Sequence, residues 1–235
     1  MFKRNALVAA LILSPTAWAV DDGAWNGSAE LGTIFTSGNT DTQSINAGVA
    51  AKHKGDVWDS ALRLSALTSK EDDVVSKETY SGLLQFDRNF TERSYLALVA
   101  EQERARFSGY TYQTVFSASY GHRIIQQDNL QFNAEVGPGV RRDKLEDTGE
   151  IQRDTIARLA ANIDWTIREG VSFIENFTAE LGADNSIYKS ETGLQSQVAG
   201  NLATKITYNV KYVDKVPASS ENTDTEFGIT LVYGF

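Results

Sequence analysis

Apolar and polar residues alternate along much of this chain. From Asp224 to Phe235, Phe227, Ile229, Leu231, Tyr233 and Phe235 fall on one parity, and Glu226, Gly228, Thr230 and Gly234 on the other. A two-residue period marks a strand with one apolar face and one polar face. The alternation recurs at Leu130, Phe132, Ala134, Val136, Pro138 and Val140, and at Ala157, Leu159, Ala161, Ile163, Trp165 and Ile167. Ile206, Tyr208, Val210 and Tyr212 oppose Thr207, Asn209 and Lys211 in the same way. Read by parity, the chain predicts twelve strands, near 25–36, 42–53, 57–68, 78–89, 94–106, 111–123, 130–142, 154–167, 171–182, 192–202, 205–214 and 224–235. The segment near 171–182 fits least well, because Glu175 sits on its apolar parity. No stretch carries a 3.6-residue period, so the class is all-β.

The links between these strands differ in length. Residues 54–56, 90–93, 124–129, 168–170 and 203–204 are short links, whereas 69–77, 143–153, 183–191 and 215–223 are longer and more charged; 37–41 and 107–110, compact and glycine-containing, are the exceptions. Short turns on one side and long loops on the other are expected of an antiparallel, up-and-down transmembrane barrel with an even strand count and both termini periplasmic. With strand directions set that way, Trp58, Tyr120, Phe132, Trp165, Tyr208 and Tyr233 fall outward near one rim. Phe35, Tyr80, Tyr112, Tyr212 and Phe227 fall outward near the other. Two aromatic girdles at the membrane interfaces fit that reading.

The N-terminus adds a destination. Lys3 and Arg4 precede an apolar run from Ala6 to Leu13, and Ala17-Trp18-Ala19 forms a cleavage pattern, so residues 1–19 read as a secretory signal peptide. The barrel domain is then 20–235. No later stretch of about eighteen apolar residues could form a spanning helix. Mean hydropathy is −0.31, as suits strands that turn one face to lipid and the other to a polar lumen. Formal charge is −9, and becomes −11 without Lys3 and Arg4, which disfavours nucleic acid as a partner. There is no cysteine, which excludes disulfide scaffolds, thiolate metal sites and thiol enzymes.

Candidate chemistry is confined to the polar parity. Lys52, Arg63, Arg123, Arg141, Arg158 and Lys211 are expected in the lumen, with Asp59, Asp87, Glu101, Glu103, Glu135, Asp164, Glu180 and Glu226. A ladder of one sign would point to an ion-selective pore. This mixed set fits an ion-pair network partly filling a narrow barrel, or a small, weakly selective channel, and the two are compatible. Glu101 and Glu103 point inward together and could share a proton or hold a cation. The simpler reading is solvated charge beside Arg104, Arg106 and Arg63.

No catalytic set emerges. His53 and His122 fall on the lipid-facing parity, away from any paired nucleophile in the sequence. Ser186-Ile187-Tyr188-Lys189 matches S-x-x-K, but in a predicted outer loop and without companion motifs. The acidic groups Glu71-Asp72-Asp73 and Asp143, Glu146, Asp147 and Glu150 could meet divalent ions or lipopolysaccharide, yet neither has an EF-hand pattern. No cofactor or metal is expected.

Several segments resemble the salt-induced outer-membrane protein family of Gram-negative bacteria, a family of barrels defined by a domain of unknown function. They are Leu31-Gly32-Thr33 through Thr36-Ser37-Gly38-Asn39-Thr40-Asp41-Thr42, Arg106-Phe107-Ser108-Gly109-Tyr110, Glu135-Val136-Gly137-Pro138-Gly139-Val140-Arg141, and Thr223 through Phe235. The likeness implies a bacterial outer-membrane location and a link to salt or osmotic stress, and brings no catalytic residue or solute. The spacing of Glu226, Gly228, Leu231, Tyr233 and Phe235 also resembles the terminal signal read by barrel-assembly machinery. The expected protein is a non-enzymatic barrel with a structural or narrow passive-channel role, partnered by outer-membrane lipids, lipopolysaccharide and that machinery. A lipid- or lipopolysaccharide-active barrel enzyme and a secreted soluble β-protein are the alternatives.

Overall fold

The computed structural model describes residues 25–37, 42–71, 74–106, 108–216 and 221–235. The proposed signal peptide, the Ser-Gly-Asn-Thr turn from residue 38 onward, and Asp72 and Asp73 lie outside them. Twelve strands follow one another: β1 Trp25–Ser37, β2 Thr42–His53, β3 Trp58–Glu71, β4 Val74–Asn89, β5 Ser94–Arg106, β6 Tyr110–Gln126, β7 Leu130–Leu145, β8 Ile151–Arg168, β9 Val171–Gly182, β10 Ser186–Ala199, β11 Leu202–Val213 and β12 Thr223–Gly234. Each pairs antiparallel with its chain neighbours, and β1 pairs with β12, so the sheet closes into a barrel. Closure leaves no strand edge unpaired.

Parity sets the two faces. On β12, Phe227, Ile229, Leu231 and Tyr233 are exposed outward, while Thr230 and Val232 are buried inside. The outer surface carries Leu31, Ile45, Leu64, Leu84, Phe116, Val136, Leu159 and Ile206, all exposed. Large apolar side chains presented outward all round a closed sheet match a surface solvated by lipid. Trp58, Tyr120, Trp165 and Tyr233 are exposed toward the end that holds both termini, and Tyr80, Tyr212 and Phe227 toward the opposite, loop end. Phe132 and Tyr112 share that parity and are half-buried.

Turn chemistry differs from the expected pattern. Gly170 and Gly200 adopt φ of 73° and 52° in two-residue links at the terminus end. Tight hairpin turns need positive φ, which glycine adopts without a Cβ clash. At the loop end several strands run further than the alternation indicated. The expected loops 143–153 and 183–191 shrink to 146–150 and 183–185, because backbone pairing continues through residues on which neither face is consistently apolar. The segregation of loop lengths is therefore weaker than the sequence implied.

The seam is closed by close packing. Gly27 N–H donates to the Phe235 carbonyl at 2.8 Å, and Phe235 N–H donates back at 2.9 Å. The Phe235 ring occupies the space a Cβ at Gly27 would need.

Candidate functional site: the charged lumen

Inward positions bring acids and bases from distant strands together. On the β5–β8 wall, Glu135 of β7 accepts from Arg158 of β8 at 2.8 Å and from the Tyr95 hydroxyl of β5 at 3.1 Å. Gln85 of β4 donates to Glu135 at 3.1 Å and to Asp87 at 2.9 Å. The Tyr95 ring takes the room left by Gly121, its register partner on β6, and Arg123 lies 4.8 Å above it. Arg123 also donates to Asp59 at 3.1 Å and to Asn89 at 2.7 Å. Toward the loop end, Arg141 is ringed by Asp143 at 3.0 Å, Asp154 at 3.6 Å and Glu180 at 3.6 Å.

Other pairs cross the lumen. Lys189 of β10 reaches Glu101 of β5 at 2.7 Å, and Lys211 of β11 reaches Glu103 of β5 at 2.8 Å. Arg63 of β3 meets Glu191 of β10 at 3.1 Å, and Lys77 of β4 meets Glu226 of β12 at 2.6 Å. Along the wall rather than across it, Lys205 of β11 binds Glu30 of β1, just beyond β12, at 3.2 Å and Glu191 of neighbouring β10 at 3.4 Å. A circular barrel of this strand number would measure about 24 Å between opposite backbones, from strand spacing and tilt. A lysine and a glutamate end to end span only roughly 14 Å at ordinary bond lengths. The barrel is therefore oval, flattened where β5 faces β10 and β11.

The flattening divides the interior. Beside Glu101, Glu103, Gln113, Arg141, Glu180 and Lys189 the gap left is about 10 Å³, room for about one water molecule. Midway along β3 the inward residues are open instead: the Arg63 side chain is 51% exposed, and Ser65 is exposed beside Ser81, 2.6 Å away between hydroxyl oxygens. Small inward residues, Gly48 and Ala50 of β2 and Ala61 of β3, line the same strip.

The sequence-derived residues thus fall into four groups. Asp59, Arg63, Glu101, Glu103, Glu135, Arg141, Arg158, Glu180, Lys211 and Glu226 all join ion pairs. Asp87 is held by Gln85. Lys52 and Asp164 are exposed on the inward parity near the terminus end. Gly228 is buried on the inner face of β12, while Leu231, Tyr233 and Phe235 are exposed outside.

Some expectations require correction. Glu101 and Glu103 do not sit beside Arg104, Arg106 and Arg63; the first two arginines occupy outward positions, and Arg63 is paired with Glu191. Asp143 does not share a loop cluster with Glu146, Asp147 and Glu150, because it faces inward onto Arg141. Ser186 and Lys189 belong to β10, where an odd separation puts them on opposite faces. Glu175 faces outward and stays there by accepting from the Ser190 hydroxyl at 2.8 Å and the Thr192 hydroxyl at 2.6 Å.

Reading the sequence missed Lys77, Lys189, Glu191, Lys205 and Glu30. Lys205 and Glu30 were available from parity alone, since they share the faces of Lys211 and Gly32. Also missed was the cross-strand contact of Ser94 Oγ with His122 Nδ1 at 3.4 Å on the outer face. Tyr120 shares that hydroxyl at 3.0 Å, and no carboxylate orients the imidazole among the described residues. A nucleophile–base pair lacking an orienting group falls short of a catalytic triad. Among the described residues, no group of three His, Asp or Glu side chains could hold a metal ion.

The comparisons add the family. A model described as "Protein of unknown function, DUF481" matches residues 29–235. The chain belongs to that family. It is 26% identical over 210 residues to the uncharacterized protein YdiY of Escherichia coli (strain K12), covering 89% of this chain and 82% of that one. Among solved structures, the NanC porin superposes with a TM-score of 0.59 at 10% identity, covering 87% of this chain and 98% of the porin. The KdgM porin gives 0.54 at 12% identity, with 88% and 99% covered. These likenesses are of architecture.

Proposed function

We propose that this protein is a barrel of the bacterial outer membrane, exported by its signal peptide, that acts as a narrow passive channel rather than an enzyme. The observation that carries the reading is the open Arg63–Ser65 strip inside a closed barrel whose outer face is apolar. A purely structural plug has no need to keep one wall wet. Arg63 and Glu191 form the constriction beside that strip, so small hydrophilic solutes and ions of either sign are the expected cargo. The resemblance to salt-induced barrels suggests use during salt stress. Charges much closer together than a Debye length of about 8–10 Å are the least screened by salt, so lumen pairs held at 2.6–3.4 Å suit such conditions. The outward, aromatic-bearing end of β12, with Leu231, Tyr233 and Phe235, would serve the assembly machinery.

Two measurements test the reading. The mature protein should fractionate with outer membranes and shift on heating in SDS gels; recovery in the soluble periplasmic fraction would overturn the location. In planar bilayers it should give small single-channel steps that grow in Arg63→Ala. A folded, heat-modifiable protein that never conducts would overturn the channel and leave the structural role.

A further inference from the structure

The outer face of β5–β8 carries an unusual juxtaposition at the loop end. Arg142 of β7 and Arg153 of β8 are direct register partners on that face, and both are exposed. Lys144 lies one outward step further along β7, and Arg104 is exposed on the same face of β5. Like charges set directly opposite each other across a ladder are destabilising. Yet none of these four cations makes an ion pair among the described residues; Arg142 only approaches the Tyr112 ring, at 5.9 Å. Glu78, the acid of this face, is taken by Arg106 at 3.4 Å. On the opposite wall the outward positions at this level are Tyr188, Tyr212 and Phe227, with no cation.

Immediately beneath the cations lies an apolar trough of about 580 Å³. Ala100 and Ala118 contribute small side chains between Leu84, Leu98, Phe116 and Val140. Val140 is two residues along β7 from Arg142, and Thr155, also at the trough, is two along β8 from Arg153. The trough thus begins where the cationic shelf ends. Its volume falls within the range of pockets that hold single small ligands.

We propose that this shelf and trough form a binding site for a phosphorylated, acylated lipid of the outer leaflet, its phosphates on Arg142, Arg153 and Lys144 and an acyl chain in the trough. The charge is complementary: arginine presents paired N–H donors that match phosphate geometry. The level is right as well, because Tyr80 and Tyr112 border the shelf at the rim where headgroups lie. An anion over Arg142 and Arg153 would relieve their mutual repulsion. The site rests on the outer-membrane reading, but not on conduction.

Purified, folded barrel would be titrated in mild detergent with bisphosphorylated lipid A and with the same lipid stripped of phosphate, and bound lipid counted by native mass spectrometry. Lipid A should be retained at least tenfold more tightly than the dephosphorylated form. Arg142→Gln combined with Arg153→Gln should abolish that preference. Ala118→Phe, which fills the trough, should weaken both lipids. Arg88→Gln, which removes one outward arginine charge at the other rim, should change neither. Equal retention of both lipids, or equal loss in the Arg88 variant, would overturn the site. Each variant must keep its heat-modifiable shift; a folded barrel without lipid preference refutes this site alone, whereas soluble recovery refutes the location.

Discussion

On β5–β8 the inward side chains include Tyr95, Val99, Val115, Glu135, Arg141, Ile156 and Arg158, and every one is buried. On β3, five and seven residues into the strand from the terminus end of the barrel, Arg63 and Ser65 are exposed. Both walls obey the same alternation, so pattern alone does not separate them. Side-chain size and reach do. The first wall fills its half of the oval with long, paired side chains and a tyrosine over Gly121. The second presents Gly48, Ala50, Ala61 and Ser81, too short to close the gap. One barrel therefore holds both a packed polar core and an open strip.

The largest expected difference comes from breaking the packed wall. Glu135→Ala strands Arg158 without its counter-charge, and removing one partner of a buried pair costs about 3–5 kcal/mol. Arg63→Ala removes half of a part-exposed pair and should change stability by about 1 kcal/mol or less. Urea unfolding in lipid vesicles would read both, and equal losses would erase the distinction between the walls. A second test asks whether the dry wall is dry because it faces inward. Leu159→Arg, on the outer face of β8, should cost roughly 2–4 kcal/mol at mid-membrane. Asn162→Arg, on the inner face three residues on, should be tolerated; the reverse order would invalidate the parity. The smallest perturbation is a single thiol in this cysteine-free chain. Ser65→Cys should react with a water-soluble maleimide at least tenfold faster than Ser117→Cys, which faces inward on β6 and is buried. Similar rates would mean that water reaches both walls.

What was legible in advance follows from where alternation survives. From Phe227 to Tyr233 on the terminal strand and from Ala157 to Ile167 on β8 one parity is apolar, so their faces could be read directly. β10 could be read only in its second half, within the expected strand 192–202. In its first half Ser186 and Ser190 are polar on the outer face and Lys189 and Glu191 on the inner face, and residues 186–191 therefore resembled a loop. The outward hydroxyls of Ser190 and Thr192 make sense only once Glu175 is seen across the ladder. Losing the first half of β10 also hid the two charges, Lys189 and Glu191, that clasp Glu101 and Arg63. Parity can place a charge inside but cannot name its partner. Pairs such as Glu30 with Lys205 join residues far apart in sequence, and the flattening that brings walls together is not a local property.

The seam between β1 and β12 has a consequence for the order in which the barrel forms. Every other ladder joins consecutive strands and can nucleate as a hairpin, with a short loop to close. The Gly27–Phe235 bonds join positions about two hundred residues apart, and loop-closure entropy makes such contacts slow. Assembly should therefore pass through an open sheet carrying two bare edges, each a template for a foreign strand. Gly27 is where that vulnerable interval ends: a bulkier side chain there would meet the Phe235 ring as the edges approach, and would prolong the time spent open.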